Sequence, residues 1–417
     1  MRYAKYKPTG IAWLPEVPEG WEMVRNKRFL RLTDEKVCSR KNDFTLLSLT
    51  RQGVIVRDLT EMKGKFPKDF DTYLVVRPNN LVFCLFDVDE TPRTVGLVRN
   101  VGMLTGAYTN FEVDQSVVIP EFAYYYYLHI DDAKKLRPFY TGLRKVVKTN
   151  TFLQLRIPLP PLAEQRAIVA FLDGKCGKID RWVAAKEREV ALLKELKQAM
   201  IAEAVTRGFD HKVLNFSTGV FWQPLMPEGW CVKKCRHALQ KLNRSRPKDA
   251  ELLVCTNKGT VNKRGDAKIG LVSEDETIYQ GVAAGDLLIH GMDTWHGAIA
   301  VSELDGMCTP VVHVCDSKEN KKFVAFCFQN MARGRLFKLI SNGVRQNTSD
   351  FRSWEKVAQL PLVLPPRKEQ DRIVSYIEAR AAKIDAAVAG LEREIAAMKE
   401  YKQRLIADVV TGQRKVA

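Results

Sequence analysis

Residues 159–208 read LPPLAEQRAIVAFLDGKCGKIDRWVAAKEREVALLKELKQAMIAEAVTRG, and the rest of the chain is organised around them. Apolar side chains fall at Ile168, Leu172, Ile179, Val183, Val190, Leu193, Met200 and Ala204. Steps of three, four and seven put them on one narrow stripe of a long helix, the seam of a coiled coil. Charged residues such as Glu187, Arg188, Lys194 and Glu195 fill most of the other faces. Pro160 and Pro161 end the preceding extended segment, with Pro161 suited to the first helical position, and Gly208 can stop the helix. About 44 residues at ~1.5 Å each give a rod on the order of 65 Å.

A single stripe of that length needs a partner helix, and the chain supplies one. Residues 364–413 read LPPRKEQDRIVSYIEARAAKIDAAVAGLEREIAAMKEYKQRLIADVVTGQ. A shift of 205 aligns Pro160 with Pro365, Glu164 with Glu369, Gln165 with Gln370, and Lys178-Ile179-Asp180 with Lys383-Ile384-Asp385. The seam keeps its phase at Ile373, Ile377, Ile384, Val388, Ile395, Met398, Leu405 and Val409. The helices are copies of one another.

The segments between them repeat too. TGIAWLPEVPEGW at 9–21 returns as TGVFWQPLMPEGW at 218–230, and LLSLTRQGVIVR at 46–57 as LLVCTNKGTVNK at 252–263. Each of the latter reads as a short apolar strand, a polar turn at Gly53 or Gly259, and a return strand. YLVVRPNNLVFCLFD at 73–87 matches YQGVAAGDLLIHGMD at 279–293, where a turn at Asn79-Asn80 or Gly285-Asp286 leads into a buried strand. GLRK at 142–145 faces GVRQ at 343–346. With helices expected near 121–137 and 320–340, the fold class is α/β. The expected order is a globular segment at 1–158, a long helix at 159–208, a second globular segment at 209–359, and a second helix with its tail at 360–417. Antiparallel pairing of the helices would make the chain a pseudo-dimer about an approximate two-fold axis.

The net charge of +17 is concentrated. Residues 1–158 carry 25 Lys+Arg against 18 Asp+Glu, and residues 209–359 carry 21 against 16, so 12 of the 17 charges sit outside the helices. That is where a polyanion such as nucleic acid would be gripped. The nine cysteines are scattered and only Cys231 and Cys235 are close, which fits reduced thiols in a cytosolic protein rather than a zinc site. MRYAKYKPTG at the start is no signal peptide, and no run of about 18 apolar residues offers a membrane span.

The paired LPPLAEQ and LPPRKEQ helix starts, the heptad helices and the PEGW segments resemble the specificity subunit of type I restriction-modification systems. The likeness covers nearly the whole chain and keeps the family's order. It implies two target-recognition domains separated by two long antiparallel coiled-coil helices, each domain reading one half of a gapped site in double-stranded DNA. It implies partners as well: two methyltransferase subunits that modify adenine, and restriction/translocase subunits that join for cleavage. S-adenosylmethionine would then sit on the modification subunits, and ATP and Mg on the restriction subunits, with no cofactor or metal on this chain. A cytoplasmic location goes with that role.

Physical reasoning names the contacts. In the first segment these are Arg51, Gln52 and Arg57 on the hairpin with Lys63, Lys65 and Lys68 beside them. Arginine pairs with guanine and glutamine with adenine, so Arg51-Gln52 is the expected base reader; a merely solvated hairpin is the plain alternative. Lys145 and Lys148 are expected on phosphate. In the second segment the tip offers Asn257, Lys258, Asn262, Lys263 and Arg264, with Arg244, Arg246 and Lys248 as a basic approach. Trp295 and His296 are expected either near the DNA or in the core. Glu164, Gln165, Glu369 and Gln370 are expected to cap helix starts or to form part of a docking surface. A catalytic centre is not expected. LPPL at 159–162 lacks the polar and aromatic residues of an adenine-methyltransferase motif, and GKCGK at 174–178 lacks the spacing of a phosphate-binding loop. The competing reading is a DNA-binding coiled-coil protein that acts without methyltransferase partners.

Overall fold

The computed structural model describes residues 2–57, 69–209, 215–265, 276–341 and 351–416. Two long helices, Leu162–Arg207 and Arg367–Val410, cross between two compact units. The first unit takes Met1–Glu187 and Glu392–Ala417, the second Arg188–Leu391. Each unit therefore holds one globular segment and part of each helix. Among the described residues no helix is long and apolar enough to cross a membrane.

In the first unit the chain runs through β1 (Tyr6–Ile11), β2 (Leu14–Pro18), β3 (Glu22–Arg25), β4 (Leu30–Thr33), β5 (Leu47–Thr50) and β6 (Gly53–Val56). It continues through β7 (Leu74–Val76), β8 (Leu81–Phe83), β9 (Val95–Leu97), β10 (Gly102–Leu104) and β11 (Thr109–Val113). Helices α1 (Pro120–Asp132) and α2 (Thr149–Gln154), strand β12 (Arg156–Leu159) and the long helix α3 (Leu162–Arg207) follow. The central sheet has the order β4-β11-β8-β9, with antiparallel neighbours. Strands β7 to β10 are three-residue runs buried along their length, which explains why they read as continuous apolar segments. The turn into β8 needs a left-handed residue and uses Asn79 at φ +72°, while buried Asn80 donates to Asn110. Tyr125, Tyr126 and Tyr127 are buried on α1, and the Tyr127 hydroxyl donates to Asn26 Oδ1. Phe83, Phe111, Tyr127 and Phe152 pack as one aromatic group, with ring centroids 4.7–5.8 Å apart.

Gln165, at the start of α3, is fully buried. Its Oε1 accepts from the Ile119 N–H at the head of α1, and its Nε2 donates to Pro160 O at 2.9 Å. The seam residues Ile168, Leu172, Ile179 and Val183 are buried, as are Ile395, Leu405 and Val409 of the C-terminal helix; Met398 is half-buried. Lys402 bonds Asp180 and Lys399 bonds Glu187, both at 2.7 Å. A rising number on α3 meets a falling one on its neighbour, so the two helical segments of this unit run antiparallel.

The second unit holds β13 (Asn215–Ser217), β14 (Leu225–Pro227), β15 (Cys231–Lys234), α4 (Cys235–Ala238), β16 (Gln240–Lys241), β17 (Leu253–Cys255) and β18 (Val261–Lys263). After these come β19 (Gln280–Val282), β20 (Leu287–His290), β21 (Ile299–Val301), β22 (Gly306–Cys308) and β23 (Val312–Asp316). Helices α5 (Lys321–Arg333), α6 (Leu336–Leu339) and α7 (Trp354–Gln359), strand β24 (Pro361–Leu364) and α8 (Arg367–Val410) complete it. Its central sheet, β16-β23-β20-β21, has antiparallel neighbours and repeats the connectivity of β4-β11-β8-β9. Gly208 ends α3 in the left-handed region at φ +66°, its N–H donating to Ala204 O. Ile201, Ala204 and Val205 of α3 join Ile373, Val374 and Ile377 of α8 in one core with Trp230, Phe323 and Phe328. Of the remaining expected seam residues, Val190 and Val388 are buried and Leu193, Met200 and Ile384 half-buried. Gln370 is as buried as Gln165. Its Oε1 accepts from the N–H of Asn320, the N-cap of α5, and its Nε2 donates to Pro365 O. Burial takes both glutamines away from any docking surface and corrects that expectation.

Candidate nucleic-acid interface

In the first unit, β5 and β6 pair from Leu47↔Val56 to Thr50↔Gly53, leaving Arg51 and Gln52 as a two-residue turn. The Thr50 hydroxyl fixes the turn, accepting from Gln52 N at 3.1 Å and donating to Gly53 O at 3.0 Å. Gly53 opens β6 rather than forming the turn. Its φ of +102° is one that side chains rarely adopt. Leu49 and Val54 sit so close to Gly96 of β9 that a methyl group there would collide with both, which anchors the hairpin to the sheet. Arg51 and Gln52 stand exposed at the tip. Arg57, beyond the hairpin, is half-buried; its N–H donates to Leu46 O, and its charge opposes the burial that raises the Tyr73 pKa. Lys63, Lys65 and Lys68 lie outside the described residues.

The other basic residues of this unit divide. Lys148 is exposed at the head of α2. Lys145 is bound to Glu90 at 2.6 Å and to Asp89 at 3.4 Å, and the Glu90 bond is the main reason its pKa is raised. Arg144 meets Asp87 at 2.9 Å and lies over the Phe86 ring. Arg137 bonds Asp89 and is the main cause of that carboxylate's lowered pKa. The acidic segment 87–90 thus holds cations that the sequence left free, and Lys145 meets a phosphate only by leaving it.

In the second unit the hairpin is β17–β18, and its loop runs over Thr256–Thr260. Thr256 N donates to Thr260 O at 2.8 Å and Gly259 N to Thr256 O at 2.9 Å. Gly259 is left-handed at φ +72° and packs against Gln329 of α5 so closely that a side chain would strike it. Asn257, Lys258 and Asn262 are exposed. Lys263 is exposed as well but bonds Glu251 at 2.6 Å. Arg264 is half-buried, and its Nε has no hydrogen-bond partner among the described residues. Arg244 grips buried Asp286 through its two terminal guanidinium nitrogens, and that bond is the chief cause of its raised pKa. This pair ties β20 to the chain after β16. Arg246 and Lys248 are exposed. Trp295 is half-buried against the core and His296 exposed.

Two residues that sequence reasoning passed over stand beside this tip. Gln198 of α3 and Arg333 of α5 line a cleft of about 330 Å³ together with Lys258, Trp295, His296 and Gln329. A glutamine off the seam and an arginine at the end of a helix carry no signal of their own; only the fold brings them to the hairpin.

The fold is similar to that of known proteins of one kind. Residues 100–179, from β10 into α3, match the family model of the type I restriction modification DNA specificity domain. The specificity subunit of the StySPI type I restriction enzyme from Salmonella potsdam is 23% identical over 282 residues, 64% of this chain and 59% of that protein. The MjaVIII specificity subunit from Methanocaldococcus jannaschii is 24% identical over 229 residues, 54% of this chain and 50% of that one. The chain thus spans less than two thirds of the length of these curated relatives. A solved structure described as showing complex assembly and conformational transition of the type I R-M system shares the fold, with a TM-score of 0.68, 16% identity, and coverage of 94% of this chain and 98% of that one. The chain is therefore similar to the specificity subunits of type I restriction-modification systems, and its residues 100–179 match their DNA specificity domain.

Proposed function

We propose that this chain reads a two-part, gapped site in double-stranded DNA, with the recognition segment at 1–158 on one half and that at 209–359 on the other. The observation that carries the reading is the recurrence of one hairpin on one strand order with different exposed tips, Arg51-Gln52 in one unit and Asn257-Lys258 in the other. A constant scaffold with variable amide and guanidinium tips suits base edges in the major groove. Lys148, Arg246 and Lys248 supply phosphate contacts, which set affinity without reading sequence.

The helices at 159–208 and 360–417 form an antiparallel coiled-coil pair about a pseudo-two-fold axis. Support comes from the ion pairs: the shift of 205 that relates the helices converts Asp180–Lys402 of one unit into Asp385–Lys197 of the other, and both pairs form at 2.7 Å. A helix pair of fixed length sets the gap between half-sites and docks two adenine methyltransferase subunits, with restriction subunits joining for cleavage. The chain supplies recognition and no chemistry. S-adenosylmethionine belongs to the modification subunits, ATP and Mg to the restriction subunits.

The test is a genome-wide map of methylated adenines in the host with and without the gene. Loss of one gapped, two-part motif on deletion is the expected result and gives both half-sites at once. An unchanged methylome, together with failure to co-purify methyltransferase subunits, would favour a DNA-binding protein that acts alone.

A further inference from the structure

The cleft beside the second tip carries positive charge. It is lined by Lys258 and Arg333 and by no aspartate or glutamate. Arg333 is exposed, yet burial of part of its guanidinium lowers its pKa, and burial is the only cause. Neither Lys258 nor Arg333 has an ion-pair partner among the described residues. A cation that loses water and gains no countercharge is stabilised by an anion brought from outside.

The uncharged lining points the same way. Trp295 Nε1 and Gln198 Oε1 are buried, and neither has a hydrogen-bond partner among the described residues. Unmade hydrogen bonds of buried groups are costly, so a ligand that completes them gains what the free protein forgoes. The indole N–H only donates, and a carboxamide presents either its oxygen or its nitrogen, so together they serve an oxygen-rich ligand. Gly297, left-handed at φ +79°, brings no side chain to the rim. The volume of about 330 Å³ lies at the lower end of small-ligand sites.

We propose that this cleft receives one sugar-phosphate unit of the bound DNA, with Arg333 and Lys258 on the phosphate and the Trp295 N–H and Gln198 amide on its oxygens. The inference rests on the DNA-reading function above and adds a residue of the long helix α3 to the contact. The second unit then grips backbone through Lys258 and Arg333 and presents Asn257 from the same place, so the register of the tip on the duplex is fixed by the cleft.

The experiment uses the full chain with its modification subunits, a labelled mixed-sequence duplex and a duplex carrying the mapped site, titrated over a series of salt concentrations. Arg333→Ala is expected to weaken binding to both duplexes and to lower the slope of log Kd against log salt by about 1, the signature of one lost phosphate contact. Arg333→Lys keeps the charge and restores the slope. Trp295→Phe keeps an aromatic ring, removes the N–H, and weakens both duplexes several-fold with the slope unchanged. Melting temperatures confirm that each variant is folded. Wild-type affinity and slope for Arg333→Ala and Trp295→Phe would overturn the proposal, and so would a loss confined to one base pair of the mapped site, which marks a base contact instead. If the wild-type complex binds and these variants behave like it, this inference alone falls; if the wild-type complex binds neither duplex, the DNA-reading function falls with it.

Discussion

Gln165 and Gln370 each join a long helix to the head of a shorter one, through a side-chain oxygen that accepts a backbone N–H and a nitrogen that donates to a proline carbonyl. Both are fully buried, so truncation leaves backbone groups unpaired in the interior. Gln165→Ala and Gln370→Ala are each expected to cost about 1–3 kcal/mol, read by urea unfolding; a change within about 0.5 kcal/mol would show that the bonds are incidental. His129 makes a second residue-scale prediction. Burial first, then the neighbouring Lys135 charge, pushes its pKa down to about 4 from the ordinary 6.5. The folded state therefore binds that proton less readily than the unfolded chain. The resulting stability is present above about pH 6.5 and is lost as pH falls toward about 4. Melting temperatures across that window should fall for the wild type and fall less for His129→Gln; parallel profiles would remove His129 from the account. The sequence showed the repeated Glu-Gln at both helix starts but not which partner each glutamine meets. That partner lies 46 residues away in one case and 50 in the other.

At the scale of the element, the hairpins were legible because a short apolar run, a polar stretch with a glycine and a second run mark a strand, a turn and a return. Their loops were less so. The first is a two-residue turn with Gly53 inside the strand, whereas the second spans Thr256–Thr260, closed by the two threonine hydroxyls 2.8 Å apart. Ion pairing was hidden from the sequence for a different reason. Lys145 meets Glu90 across 55 residues and Arg244 meets Asp286 across 42, so no local pattern announced that these cations were engaged. Arg51 and Gln52 are exposed and lie outside the core, so their replacement should leave stability within about 0.5 kcal/mol. The same double substitution to alanine should relax recognition at one half-site by about 1–3 kcal/mol per lost bidentate contact and leave the other half-site intact. Methylome sequencing of the variant strain reads this directly. Equal weakening of both halves would mean that the two units do not read separately.

For the whole molecule, the helix seam was the most legible feature, because a heptad repeat over so many residues has few other uses. Every expected seam position is buried or half-buried, and Lys399–Glu187 and Lys402–Asp180 give the helical segments of the first unit their antiparallel sense. The ion pairs themselves are exposed and add little, about 0–1 kcal/mol each. In the proposed helix pair, the apolar seam therefore carries the association. Ile179 is buried and its repeat counterpart Ile384 half-buried, so each is in place to hold one stretch of the pair. Truncating a buried isoleucine costs about 2–5 kcal/mol, and a carboxylate in its place adds the cost of desolvating a charge. Ile179→Glu with Ile384→Glu is therefore expected to open the pair and abolish co-purification with methyltransferase subunits. DNA binding by each globular segment should persist at the lower affinity of an untethered reader. Charge reversal of Lys402 and Asp180 together, which keeps their attraction, should leave assembly intact and so separates seam from salt bridge. A doubly substituted Ile179 and Ile384 variant that still assembles and still modifies a motif of unchanged gap would show that the proposed helix pair does not set the gap.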